Sequence, residues 1–224
     1  MRKIKVGIWM AVVLLVGCLA VMTHFSFTDH YNQIEYREKL VVPYLPKELK
    51  ELCEGQYNML KDSPIIITAK ATGEYQYVFG NLWQKVVVEE VIRGEDKIDS
   101  GDTVKIVGTG KVGGKIKSGE YKGLTYVDTS FLNYMKKDKE YLIFLNNRVH
   151  AGYEHDKVYR VNKDAVTLQY INIIDDSGGI CDVRDTDGPS EMLYSCFKDY
   201  EFATNSKEVL KSLEKIKRQF IDFL

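Results

Sequence analysis

The chain has 224 residues, 45% of them hydrophobic, and carries 31 Lys+Arg against 32 Asp+Glu for a formal net charge of -1. Balanced charge, ordinary apolar content and the lack of a heptad or glycine repeat exclude coiled coil, collagen and disorder. The absence of a basic surplus removes the electrostatic footprint of a nucleic-acid binder.

The N-terminus is the most informative stretch. Arg2, Lys3 and Lys5 precede an uncharged run from Val6 to about Phe27, and the first acid is Asp29. At about 1.5 Å per residue, roughly 20 such residues make a helix of ~30 Å, the thickness of a hydrocarbon core. The basic flank predicts a cytoplasmic N-terminus and an extracytoplasmic remainder. Three fates compete. A cleaved signal has only Cys18-Leu19-Ala20 as a loose cleavage site. Leu15-Val16-Gly17-Cys18 resembles a lipobox, with Cys18 as the lipidated residue, yet Leu19 to Met22 prolong the apolar run beyond it. An uncleaved single-span anchor is the leading expectation. Residues 1–27 hold three basic residues and no acid, leaving 28 basic against 32 acidic residues in the remainder, a net of -4. That balance disfavours an anionic external partner.

The predicted organisation is an anchor or lipoprotein signal over 1–27, a stalk and helix over 28–63, a β domain over 64–204 and a C-terminal helix over 205–224. Pro46 suits a first helical position, and Leu49, Leu52, Cys53 and Leu60 recur on one face, predicting a helix at about 46–61. The β-branched run 64–69 predicts a buried strand, and Trp83 to Ile92 another, ending at Arg93-Gly94. Gly101-Asp102 turns into an alternating strand at 104–107. Residues 108–123 read as a glycine- and lysine-rich loop, followed by a strand at 124–127. Residues 141–145 predict a central strand, and 158–161 with 166–174 a further pair joined through 162–164. Residues 175–190 are turn-rich. Asn205 or Ser206 caps a last helix with Leu210, Leu213, Ile216, Phe220 and Leu224 on one face and Glu208 placed for a capping box.

Many short strands with helices kept to the ends predict a mainly β (α+β) fold, a small closed antiparallel barrel. The runs at 86–94, 101–104 and 139–145 resemble a pattern in uncharacterised bacterial surface proteins whose domain is similar to the OB-fold barrel of tissue inhibitors of metalloproteinases. The resemblance covers about residues 64–145 and implies that fold. The inhibitors act through an N-terminal Cys-x-Cys wedge, which is absent here, so inhibition is not implied.

Chemical motifs fail one by one. Gly108-Thr109-Gly110-Lys111-Val112-Gly113, with Asp128 about 20 residues on, matches a dinucleotide fingerprint, but Gly113, Gly114, Gly119 and Gly123 prevent the helix that must follow. A phosphate loop fails because Thr109 and Ile116 occupy positions needing Gly and Ser/Thr. Asp182, Asp185, Asp187 and Gly188 fit no EF-hand register, and with Asp175 and Asp176 they read as a solvated acidic loop. His150 and His155 beside Glu154 and Asp156 lack a third ligand of fixed geometry. No Gly-x-Ser-x-Gly elbow or Cys-His pair occurs, and Glu89 and Glu90 point to opposite faces of a strand. Cys181 and Cys196 enclose a short loop that a disulfide would stabilise by about 3 kcal/mol; Cys53 reads as a core residue. Fifteen Tyr and nine Phe suit both a core and a recognition surface.

The sequence therefore predicts a membrane-tethered extracytoplasmic binding module without catalytic residues, cofactor, metal or nucleic-acid partner, whose partners are the membrane and a protein at the cell surface. The alternatives are a surface hydrolase assembled from distant residues and a lipid-anchored scaffold.

Overall fold

The computed structural model describes residues 10, 12–21, 37, 39–150, 157–174, 178–181 and 191–224, with the side chain of Cys181 excepted. The chain divides into two compact units, Met1–Tyr31 and Asn32–Leu224. In the first, residues 12–21 are helical and exposed. No helix among the described residues is long and apolar enough to cross a membrane; the rest of the expected span, at 6–9, 11 and 22–27, lies outside the described residues.

The second unit is mainly β. Its elements in chain order are β1 (Leu40–Pro43), a 3-10 turn (Lys47–Leu49), α1 (Lys50–Lys61), β2 (Ile65–Val78), β3 (Asn81–Arg93), β4 (Thr103–Lys115), β5 (Thr125–Asp128), β6 (Glu140–Val149), β7 (Lys157–Val161), β8 (Tyr170–Asn172), β9 (Ile180–Cys181), β10 (Glu191–Leu193), α2 (Tyr194–Phe197), β11 (Ala203–Thr204) and α3 (Lys207–Ile221). The main sheet runs β10-β1-β5-β4-β3-β2-β6-β7, with β8 added on β6, and β4 also pairs with β7. The pairings β2–β3, β3–β4, β2–β6 and β6–β7 are antiparallel, and β4–β7 is parallel with Val104 opposite Lys157. The path through these five strands therefore returns to its start.

The strands outlast the expected ones, for identifiable reasons. The run at 64–69 continues to Val78, because the Thr72 hydroxyl donates to the Lys85 carbonyl and a register shift between Ala71 and Tyr75 carries the pairing onward. The expected loop at 108–123 is instead largely strand: β4 continues to Lys115. Gly108, at φ +93°, makes this workable, since a Cβ there would lie 3.3 Å from Val161 on the adjoining strand. Beyond that bend β4 leaves β7 and pairs with β5. Within the segment read as stalk, Leu40–Pro43 is a fully buried strand, parallel to β5 and antiparallel to β10.

The core joins the inward residues of the five strands to one face of each long helix. Ile65, Ile67, Val86, Ile106, Ile143 and Phe144 meet Leu60 and Cys53 of α1 and Leu213, Ile216 and Phe220 of α3. Tyr57 and Phe144 each place a ring 4.7 Å from that of Phe220. Truncating a buried leucine such as Leu213 to Ala costs about 2–5 kcal/mol. The buried face of α3 contains Val209 and Lys217, whereas Leu224 is exposed, so the stripe is rotated from the expected one. Lys217 is tolerated because its ammonium lies 2.6 Å from Glu201, whose other oxygen accepts the Asn172 amide at 2.6 Å. Ser206 is the N-cap and accepts from the Val209 amide. Glu208 falls one position short of a capping box; its carboxylate accepts from the Ser206 hydroxyl at 2.7 Å.

Candidate binding surface

Period-two alternation divides β3 between two environments. Leu82, Val86 and Val88 are buried inward, and Gln84 joins them by donating to the Thr109 hydroxyl at 3.1 Å and accepting from the Met135 amide at 2.6 Å. On the opposite face, Trp83 packs with Val107 and Val158, flanked by Val78 and Val149. Here a shallow groove of ≈ 80 Å³ is lined by Glu74, Tyr75, Gln76, Trp83, Lys85 and Lys105. Lys85 and Lys105 stand directly opposite each other on β3 and β4, an arrangement unfavourable for like charges. Glu74 offsets it with a 3.1 Å ion pair to Lys85, and the Lys105 ammonium lies 5.8 Å from the Trp83 ring.

The hairpin that ends this face turns through Phe79 and Gly80, at φ +50° and +75°. Two consecutive positive φ values are the signature of the two-residue turn that matches strand twist, and glycine or asparagine ordinarily fills both positions. Phenylalanine in the left-handed region costs of order 1–2 kcal/mol. Its ring is 80% exposed, so no core packing offsets that cost. Asn81 steadies the turn by donating to the carbonyls of Phe79 and Val78 at 3.3 and 3.5 Å.

On the other face of the same hairpin, Tyr75, opposite Gln84, begins a cluster of tyrosines. Its ring lies 5.4 Å from Tyr134, which lies 5.3 Å edge-on from Tyr194. The Arg37 guanidinium sits 4.7 Å above Tyr75 and 5.9 Å from Tyr134, and its charge acts on the Tyr194 phenol. Burial raises the phenols of Tyr75, Tyr77 and Tyr134 above their usual range, and pushes Tyr194 up to about 12 against the opposing effect of Arg37. All four are neutral at physiological pH. Asn133 organises the base of the cluster: its Nδ2 shares two protons among the carbonyls of Phe197, Lys198 and Tyr200 at 2.7–3.2 Å. Its Oδ1 accepts from the Tyr134 amide and the Tyr194 hydroxyl, both at 2.8 Å, and its own carbonyl accepts the Tyr170 hydroxyl.

The motif residues fall elsewhere. Gly108–Gly113 lies inside β4, with no helix after it. His150 follows β6, whereas Glu154, His155, Asp156, Asp175, Asp176, Asp182, Asp185, Asp187 and Gly188 lie outside the described residues. Among the described residues no three His, Cys, Asp or Glu side chains group to hold a metal. Cys18 is exposed within the helical stretch 12–21, and Cys196 is exposed on α2 with a free thiol. The expected partner Cys181 lies on β9, its side chain outside the described residues. Cys53 is buried, which pushes its thiol up to about 11. Glu89 does meet a carboxyl, but that of Glu140 on β6 rather than Glu90; burial, then the charge and hydrogen bond of Glu89, raises Glu140. Sequence spacing missed this pair because the intervening strand β2 brings it together. No protein-family model matches the sequence, and no curated protein matches it.

Proposed function

We propose that the chain is a membrane-tethered, extracytoplasmic binding module without catalytic activity, built on an OB-type five-stranded barrel. The cyclic path β2-β3-β4-β7-β6, with a single parallel step between β4 and β7, supports the barrel reading. The apolar run behind Arg2, Lys3 and Lys5 is the tether, held as an uncleaved anchor rather than through a lipid on Cys18.

The observation that carries the binding role is Phe79, an exposed aromatic presented on a strained turn at the tip of the β2–β3 hairpin, whose strands carry the groove residues Gln76, Trp83 and Lys85. Strain that nothing in the fold requires is explained by a role at the surface, and an exposed aromatic at a hairpin tip suits a protein partner. The test places a photocrosslinking residue at position 79, or at the exposed loop position of Lys122, in the full chain within the cells that make it. A discrete protein adduct from position 79 alone, on chain that resists alkaline extraction and is cut by external protease, is expected. Equal adducts from both positions, or chain released by alkali, would overturn the proposal.

A further inference from the structure

Arg37 is positioned as a ligand is. Three residues before β1, Arg37 brings its guanidinium to rings contributed by β2 and by the segment before β6, and its charge acts on Tyr194 of α2, parts of the chain far apart in sequence. Those rings are fixed independently of it. The Tyr134 hydroxyl is 2.6 Å from that of Tyr77, and the Tyr194 hydroxyl donates to Asn133. A site with one ring 4.7 Å below the cation and a second 5.9 Å away suits the planar guanidinium better than a compact, strongly hydrated ammonium. Arg37 is itself half-buried, so one edge of the cage faces solvent. Tyr75 sits between the groove residues Glu74 and Gln76 in sequence, but it stands opposite Gln84, so its ring and the cage lie on the other face of the β2–β3 hairpin from Trp83.

We infer that the cage of Tyr75, Tyr134 and Tyr194 is a guanidinium-binding site that the chain fills in cis with Arg37, and for which an arginine of a protein partner competes. The cage stands on its own geometry; only the competing arginine rests on the binding role proposed above. A tethered ligand acts at an effective concentration in the millimolar range, so it raises the apparent dissociation constant of an external one. Partners presenting arginine weakly are thereby rejected, and only those that hold it at a higher effective concentration displace Arg37.

The test uses ethylguanidinium as the probe and the full-length chain labelled with 3-fluorotyrosine, read by fluorine resonances assigned through single Tyr→Phe variants. In Arg37→Ala the probe is expected to shift the cage resonances saturably, at concentrations at least about tenfold lower than in the unsubstituted chain. Ethylammonium is expected to shift them less, and Tyr75→Leu added to Arg37→Ala to remove the response. Coincident titrations with and without Arg37, or an undiminished response after Tyr75→Leu, would overturn the inference. Should Arg37→Ala fail to fold by circular dichroism, Arg37→Lys takes its place: a saturable response stronger than that of the unsubstituted chain supports the site, and none overturns it. Because the probe is a small cation, a negative result here is distinct from a failed crosslink at position 79.

Discussion

Lys217 allows the energetics of the core to be tested with one atom-level change. Its ammonium and the Glu201 carboxylate are 2.6 Å apart, with side chains only 8% and 4% exposed. Lys217→Met keeps the stem of the side chain and removes the charge, leaving Glu201 with the Asn172 amide as its remaining close donor. Breaking one side of a buried pair costs about 3–5 kcal/mol. At about 2–4 °C per kcal/mol for a body of this size, Tm falls by roughly 6–20 °C. The loss depends on pH in a definite direction. Burial already raises Glu201 above the usual carboxylate range, with Lys217 opposing it; without the lysine it rises further. A carboxyl whose folded value exceeds its unfolded one favours folding when protonated, so the variant regains stability as pH falls through that value and loses it as pH rises. Replacing both partners, Lys217→Met with Glu201→Gln, recovers most of the loss. Urea unfolding at pH 5 and pH 8 with a double-mutant cycle measures all three quantities. A single-variant loss under about 1 kcal/mol, or strict additivity in the cycle, would refute the account of a mutually dependent buried pair.

Four further outcomes are expected. Phe79→Gly relieves the left-handed strain and raises stability by about 0.5–1 kcal/mol in thermal unfolding, while abolishing partner capture through the hairpin. Asn133→Ala removes the donors to three carbonyls and the acceptor for Tyr134 and Tyr194, costing about 3 kcal/mol by urea denaturation at unchanged slope. For Asp102, partial desolvation opposes, but the Lys157 hydrogen bond at 2.5 Å and nearby charge together hold the carboxyl below its usual value. Its stabilisation is present above the unfolded value of 3.8 and lost as pH falls through the lower folded value; Asp102→Asn flattens that acid limb by less than about 1 kcal/mol. Finally, with its thiol raised to about 11, Cys53 labels with a thiol reagent at pH 8 only after denaturant is added, whereas Cys196 labels in the folded chain.

The strands around the core were legible because their partners need only a β-branched run: Ile65 to Thr68, Val86 to Val88 and Tyr141 to Leu145 declare themselves by composition. Glycine hid the second half of β4, since the residues that look like loop formers are those that let the strand bend against Val161 and approach β5. Leu40–Pro43 was unreadable as a strand for another reason: four residues have little periodicity, and their partners lie on β5 and β10. The Gly80-Asn81 dipeptide was an available hairpin signal, and Tyr75 and Tyr77 at period two marked a ring-bearing face. Nothing local, however, places Tyr134, Tyr194 and Arg37 beside Tyr75; that cluster exists only through the tertiary fold. Likewise, Lys217 in an apolar stripe makes sense only once Glu201 is known to face it.

The position of β1 between β5 and β10 has a consequence for biosynthesis. Leu40–Pro43 precedes the rest of the sheet in synthesis, yet its neighbour Glu191–Leu193 emerges about 150 residues later. Until the ribosome reaches that point, the nascent chain carries a wholly apolar strand with one unsatisfied edge, the template on which unwanted strand pairing starts. Completion of the sheet therefore waits for the synthesis of Glu191–Leu193, and a product truncated before residue 191 is a substrate for chaperones and proteases rather than a smaller working domain.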